Sequence, residues 1–407
     1  MLHQSPPARP SPLPAAPNSV RGLFDRLIPT RTSEAESIVR ELFSHADVEF
    51  GGTRPWDIKV HDPRFYERVL RDASLGFGES YMEDWWETPA LDQTIDKLLR
   101  GNIKQKIQGS WRLKALTVKA VLLNLQAKAR AGASIEAHYD IGNDLYTRML
   151  DERMVYTCAY WNDAKTLTEA QEAKLDLVCR KVGLKPGMRV LDLGCGWGGF
   201  ASWAAEKYGC SVLGVTLSKD QVSLGNQLWG PNGRKLDVEL RLCDYRNVQG
   251  TFDRVVSIGM MEHVGPKNHR EMMQVISRCL VDDGVALVHT IANNRSLRHG
   301  TPWVEKYIFP NAVAPSLEQI GAAIGGTFSI EDLHNIGEDY DPTLMAWWAN
   351  FDRTYGEIKH RYDRRFYQMW KFYLLAAAGA SRSRDGQLYQ MVLTKLGRRK
   401  PDHAHAR

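Results

Sequence analysis

A short apolar run that ends in glycines, VLDLGCGWGG from Val190 to Gly199, constrains this 407-residue chain more than any other stretch. The segment Arg189–Gly194 is β-branched and apolar, and helix-compatible residues, FASWAAEKYG at 200–209, follow at once. Strand, tight glycine turn and helix in that order begin a doubly wound α/β sheet. Glycines suit such a turn because a nucleotide-like ligand must come within contact of bare backbone, where a Cβ would collide. A dinucleotide-binding turn is the first alternative, since a lone G-x-G is a weak signal. Asp192, two residues ahead of Gly194, and the spacing GxGxGG rather than GxGxxG argue against it.

Downstream, apolar runs alternate with helical patterns as in a parallel sheet. Strands are predicted at 188–194, 211–217, 236–243, 252–260 and 284–292, and helices at 200–208, 218–229 and 268–280. An insertion at 300–325 precedes a strand at 328–336, a helical block at 343–380 and a last strand at 387–395. The Asp-led glycine turn and the closing antiparallel pair resemble class I S-adenosylmethionine (AdoMet)-dependent methyltransferases. The expected fold is therefore α/β and Rossmann-like, a mixed seven-stranded sheet with a small N-terminal α+β domain.

Ahead of the main domain (134–397) the chain divides into a Pro-rich tail expected to be disordered (1–18), the N-terminal domain (19–100) and a connector (101–133); a basic tail (398–407) follows. In the N-terminal domain, 48–62 reads as two short strands around a turn, and 65–87 as a helix entering a Gly-rich loop. From Lys97 to Arg130 there are nine Lys or Arg and no acidic residue, interleaved with apolar residues such as Ile103, Trp111 and Leu122. Such an amphipathic basic stretch suits an anionic membrane surface, or it is a solvated linker helix. No recognition motif accompanies the charge, so nucleic acid is not an expected partner. The six cysteines are scattered without a CxxC pair, which reads as reduced thiols with no disulfide framework and no metal site. No apolar run approaches the roughly 20 residues that cross a bilayer, and no signal core opens the chain, so a cytoplasmic protein is expected.

Functional residues of open α/β folds gather at the carboxyl ends of the strands. Asp192, Gly194 and Gly196 are placed to hold the methionine part and ribose of a cofactor. The second strand ends in GVTLS with no carboxylate, so Thr216 and Gln221 take over the ribose hydrogen bonds. Asp244 and Tyr245, after the third strand, are placed for an adenine. GMMEHVG (259–265) and VHTIANN (288–294) bring Glu262, His263 and His289 toward the mouth of one crevice, where His289 is a candidate partner for Glu262. Aromatics of the insertion and helical block, among them Trp303, Phe309, Trp347, Phe351, Trp370 and Tyr373, are candidates for lining an acyl-chain tunnel. Taken singly, each is more simply core.

HYDIGNDLY (138–146), VYTCAYW (155–161), VLDLGCGWGG, GVTLS, GMMEHVG, VHTI and DYDPTLMAWW (339–348) occur in this order. Together they resemble the cyclopropane-fatty-acyl-phospholipid synthase family, relatives of the mycolic acid methyltransferases. The resemblance implies AdoMet and a bicarbonate ion as cofactors. It implies bicarbonate held by Cys158, Glu262, His289, Ile291 and Tyr340, and AdoMet held by Tyr156, Thr157, Asp192, Gly194, Gly196, Thr216, Gln221, Asp244 and Tyr245. It further implies methylene transfer to the cis double bond of an unsaturated phospholipid acyl chain, with bicarbonate deprotonating a carbocation so that a ring closes. A homodimer at the inner face of the membrane is the implied setting. The alternatives are a methyl-branched or methylene product, and a Cys158 nucleophile, although no step of this chemistry needs a thiolate.

Overall fold

The computed structural model describes residues 31–102 and 141–407, Asn232 excepted. The predicted disordered tail and all but the first two residues of the basic connector lie outside the described residues.

Seven strands form one sheet: β1 (Arg189–Leu193), β2 (Ser211–Thr216), β3 (Val238–Leu242), β4 (Phe252–Ile258), β5 (Leu280–Asn293), β6 (Phe328–Asn335) and β7 (Gly386–Lys395). Their order is β3-β2-β1-β4-β5-β7-β6. The first five strands run parallel, and β7 pairs antiparallel with both β5 and β6. Each strand overlaps the segment that its apolar pattern predicts. The strand order reverses between β1 and β4, and in such sheets that reversal opens a crevice beyond the carboxyl ends.

Before the sheet come α1 (Arg31–Ser44), α2 (Arg64–Met82), α3 (Leu91–Arg100) and α4 (Asn143–Met149). Helix α5 (Leu167–Lys181) starts at a capping box in which Thr166 and Glu169 satisfy each other's backbone N–H groups. With α6 (Gly199–Tyr208) it covers one face of the sheet, where Leu175, Val178, Phe200 and Ala204 meet Val190 and Val212. Helix α7 (Lys219–Trp229) follows β2, and the short α8 (Met261–Val264) follows β4. On the other face α9 (His269–Cys279) and α11 (Leu317–Ile324) bring Met272, Ile276, Ile320 and Ile324 against Leu191 and Val255. Between these two, α10 (Pro302–Tyr307) lies within the insertion, and α12 (Tyr340–Ile358) and α13 (Arg364–Arg382) make up the helical block.

Helices α12 and α13 pack on each other, and α2 and α3 pack against α13. One apolar cluster runs through all four, from Phe65, Phe77 and Trp86 to Trp347, Phe351, Phe366 and Trp370. Residues 31–102 therefore share a core with the cap over the sheet. Trp347, Phe351, Phe366 and Trp370 are at most 1 % exposed, as core aromatics rather than tunnel walls.

Two expectations are corrected. The Gly-rich stretch after residue 75 is no loop: α2 continues through Gly76 and Gly78 to Met82, kinked at Ala73. A Cβ at Gly78 would lie 2.4 Å from the Trp303 ring, so this glycine lets helix and indole touch instead of making a turn. The two strands expected within 48–62 reduce to a single Phe50–Ile58 bridge and a pairing of Lys59–Val60 with Trp86–Glu87. The intervening loop instead wraps Asp57, whose carboxylate accepts from the Glu49 and Arg54 backbone and from the Arg54 guanidinium. The last turn of the basic tail, Asp402–His405, packs beside α5 and β6 with Ala404 fully buried.

The tail is held by charge. Lys181, on α5, has no exposed side-chain surface and reaches Asp332 of β6 at 3.2 Å. Arg407 grips the same carboxylate with two N–H groups, at 2.7 and 2.8 Å. Burial pulls the Lys181 amine down to about 8, while the two cations hold Asp332 well below the usual carboxylate range. Removing one partner of a buried pair strands the other's charge, which costs about 3–5 kcal/mol. Asp332→Ala is therefore expected to lower stability by that amount, read as a drop in the urea midpoint, and Arg407→Ala by less because Arg407 is partly exposed.

Candidate active site

A cavity of about 680 Å³ lies over the carboxyl ends of β1, β2, β4 and β5. Its floor is the turn after β1. Gly194 adopts φ 77°, and a Cβ there would stand 2.9 Å from Met260; at Gly196, φ 55°, a Cβ would project into open space. Asp192 at the end of β1 is 2 % exposed, and its Oδ2 has no hydrogen-bond partner among the described residues. Burial pushes its carboxyl up to about 7, against the pull of Lys174. Thr216 donates to Gln221 Oε1 at 2.6 Å, and both line the cavity with Asn143 and Asp220. An unpartnered carboxylate oxygen beside bare glycine backbone fits a ligand carrying a cationic or hydroxylated end.

Tyr156, Thr157, Glu262, Ile291 and Tyr340 line the same cavity. Tyr156 and Tyr373 share a hydroxyl hydrogen bond of 2.9 Å, and Phe309 meets Tyr373 edge-on. Glu262 opens α8 at 6 % exposure and crosses to the end of β5. There Thr290 Oγ1 donates to Oε2 at 2.7 Å, and the Ile291 N–H points at Oε1 at 3.4 Å. Burial raises the Glu262 carboxyl, and these donors only partly offset it.

Cys158 is fully buried behind the lining, packed with Ile336, Leu388, Ile291 and Tyr340. Burial drives its thiol well above its ordinary value, so it stays an S–H at neutral pH. His289 likewise lies behind the wall rather than at the mouth, at 1 % exposure. Nor does it pair with Glu262 as expected. Register sets it opposite Gln390 of β7, whose Nε2 stands 3.3 Å from His289 Nδ1, and Thr290 holds Glu262 instead. Burial and the Lys174 and Lys181 charges keep the imidazole neutral, and its Nε2 has no partner among the described residues. The Tyr340 hydroxyl and the Glu262 carboxyl, whose protonated form burial favours, line the cavity and can hydrogen-bond a small ion, with the Cys158 thiol and the neutral His289 imidazole buried behind the wall.

Asp244 and Tyr245 sit after β3, outside the cavity lining. The Asp244 carboxylate is gripped by Arg246, with Nη2 at 2.6 Å. The sequence reading passed over Lys174, which is fully buried in the lining and donates to Thr157 Oγ1 at 2.7 Å. Burial lowers its amine to about 8. The T-x-x-E start of α5 marks that helix, but nothing local says that Lys174 turns inward.

The sequence profile of the family described as mycolic acid cyclopropane synthetase matches residues 126–391. The chain belongs to this family. It is 46% identical over 358 residues, 88% of this chain and 93% of the other, to the cyclopropane-fatty-acyl-phospholipid synthase of Escherichia coli K12. It is 31% identical to the tuberculostearic acid methyltransferase of Mycobacterium tuberculosis, over 83% of each chain. Among solved structures, the cyclopropane synthase MmaA2 of M. tuberculosis superposes with a TM-score of 0.58 at 30% identity, covering 64% of this chain and 96% of that one. A mycolic acid cyclopropane synthase in complex with SAH and CTAB gives the same TM-score at 32% identity. The family's methyltransferase sheet is thus the fold described above, and the chain is an enzyme of this AdoMet-dependent class.

Burial also orders the reactivity of the thiols. Cys243 is the half-exposed cysteine, whereas the other five are buried. Brief iodoacetamide treatment at pH 8 followed by peptide mass mapping is expected to label Cys243 and to leave Cys158 unmodified until the protein is unfolded.

Proposed function

We propose that this protein transfers the methyl carbon of AdoMet to the cis double bond of an unsaturated phospholipid acyl chain and closes it into a cyclopropane ring. The observation that carries the reading is a cavity lined by Glu262, Ile291 and Tyr340, with the Cys158 thiol packed behind Ile291 and Tyr340 and the buried His289 Nε2 without a partner among the described residues. The 46% identity to a cyclopropane-fatty-acyl-phospholipid synthase supports the same outcome.

Asp192, Gly194, Gly196, Thr216 and Gln221 would hold AdoMet, flanked by Tyr156 and Thr157, with Asp244 and Tyr245 at the adenine end. Cys158, Glu262, His289, Ile291 and Tyr340 would hold bicarbonate. Bound there, AdoMet supplies an electrophilic methyl and bicarbonate a small base.

An alkene is a weak nucleophile, so the work of these residues is alignment of reacting atoms to within about 3–3.5 Å. The rings of Tyr156, Phe309, Tyr340 and Tyr373 flank the space where positive charge develops on the acyl chain, each worth roughly 0.5–2 kcal/mol. The buried cap keeps out water that would otherwise capture that charge as a hydroxyl. Glu262, fixed by Thr290, would orient the ion, and Cys158, kept as an S–H by burial, would help to hold it without acting as a nucleophile. Among the described residues no helix is long and apolar enough to cross a membrane. The protein would meet its lipid peripherally, from the cytoplasmic side, as a homodimer.

Vesicles of unsaturated phospholipid incubated with protein and AdoMet are expected to yield acyl chains heavier by one CH₂ and without the olefin, by gas chromatography–mass spectrometry. Glu262→Gln should lower the yield by about 10²-fold or more while AdoMet affinity stays within about twofold. Added mass with unsaturation retained would replace the ring by a methylene or methyl-branched product. Loss of activity in CO₂-depleted buffer and its recovery on adding bicarbonate checks the ion.

Asp192 gives a second test. A cationic ligand favours its ionised form, and with the carboxyl near 7 the group is mostly protonated at pH 6 and ionised at pH 8.5. AdoMet affinity should therefore rise with pH across this window. Calorimetry in two buffers of different ionisation enthalpy is expected to show most of a proton released at pH 6 and almost none at pH 8.5, a difference absent in Asp192→Asn.

A further inference from the structure

We propose that the loop at 294–299, at the rim of the cavity, is a membrane-docking element that seats the cavity mouth on an anionic phospholipid bilayer. This deepens the lipid reading above and rests on it for the identity of the substrate.

The loop leaves the end of β5 and is exposed throughout, from Asn294 to His299. It is nonetheless pinned from beneath. Asn294 Nδ2 donates to the carbonyls of Arg384 and Asp385, and the hydroxyls of Ser296 and Ser316 share a 2.7 Å bond. Gln319 Nε2 donates to the Leu297 carbonyl at 3.2 Å, and the Gly300 N–H donates to Glu305. These bonds hold the backbone and leave its long side chains outside.

Those side chains are Arg295, Leu297, Arg298 and His299. Neither arginine nor the histidine has a hydrogen-bond or ion-pair partner among the described residues, whereas most other described arginines grip a carboxylate or carbonyl. The nearby acids are already engaged: Glu318 accepts from Ser296 Oγ, and Glu305 from the Gly300 N–H. Leu297 is 37 % exposed and also lines the cavity, with Gly300 and Thr301 as its neighbours on the rim. Leu317 is 43 % exposed on the helix that the Ser296–Ser316 and Gln319–Leu297 bonds tie to this loop.

Unpaired guanidinium groups are built to fork onto phosphodiester oxygens. A leucine between them, at an opening, can enter the boundary between headgroup and acyl chain, about 5–10 Å deep. Charge complementarity and an apolar tip at the same rim select a bilayer surface over a soluble partner. An acyl chain bent out of that surface would then pass from lipid to cavity along Leu297 with little of it crossing water.

The test is sedimentation of the full-length protein with dioleoyl phosphatidylglycerol vesicles. An arginine at such a surface is worth about fivefold in affinity, so Arg295→Ala with Arg298→Ala is expected to weaken binding by about 25-fold. Leu297→Ser should weaken it too. Arg399→Ala, on the exposed segment past β7 at the opposite edge of the sheet, serves as the control and should bind as the parent does. Turnover by the double arginine variant should fall on vesicles and match the parent when the same lipid is dispersed in detergent micelles. Undiminished vesicle binding in the double arginine variant overturns the proposal, as does equal loss of turnover in micelles. Vesicle binding that depends on these residues, without any modified lipid from the parent protein, leaves the docking surface standing and sinks the catalytic reading instead.

Discussion

Trp347, Phe351, Phe366 and Trp370 lock α12 and α13 onto the helices of residues 31–102, and the roof so formed over the carboxyl edge of the sheet sets the dielectric of everything beneath it. Because the roof excludes water, Asp192 is pushed up to about 7, Lys174 is pulled down to about 8, and the Cys158 thiol stays protonated. The same three residue types on an open sheet edge would carry ordinary charges. Overpacking or truncating that aromatic core would therefore disturb the protonation of residues it does not touch.

Within the cavity the charges are arranged as a sequence of near-neutral groups rather than ion pairs. Lys174 meets a hydroxyl, Thr157, instead of a carboxylate, and Glu262 is held by Thr290 and a backbone N–H. Asp192 and His289 each keep one buried atom without a partner. Unsatisfied buried polar atoms are costly to folding and persist where a ligand completes them. At the far edge of the sheet Lys181, Asp332 and Arg407 satisfy one another and serve stability.

Much of the site was legible because strand ends are where open α/β sheets place their ligands, and each strand end carries a recognisable cluster. Asp192, Gly194, Gly196, Thr216 and Glu262 could be named from the strand ends, Ile291 and Tyr340 from the family resemblance, and the structure brings all of them to one cavity. His289 was named, but its partner was not. A strand's neighbours depend on register with β7, more than ninety residues away, and no local pattern reports register. Lys174 escaped notice because a lysine on an amphipathic helix reads as solvated until the helix is docked. Gly76 and Gly78 misled for a related reason. Glycine signals a turn or a close contact, and only the arrival of Trp303 decides which.

The sequence by itself determined the periodicity of the seven strands, the glycine turn after β1 and the chemistry available at each strand end, since these depend on neighbours within one turn or strand. Tertiary structure alone decided that residues 31–102 share a core with α12 and α13, that the terminal turn closes over Lys181, and which polar atoms are left without partners. Those outcomes are set by contacts between segments hundreds of residues apart, where burial, and with it every shifted protonation state, depends on what the rest of the chain lays on top.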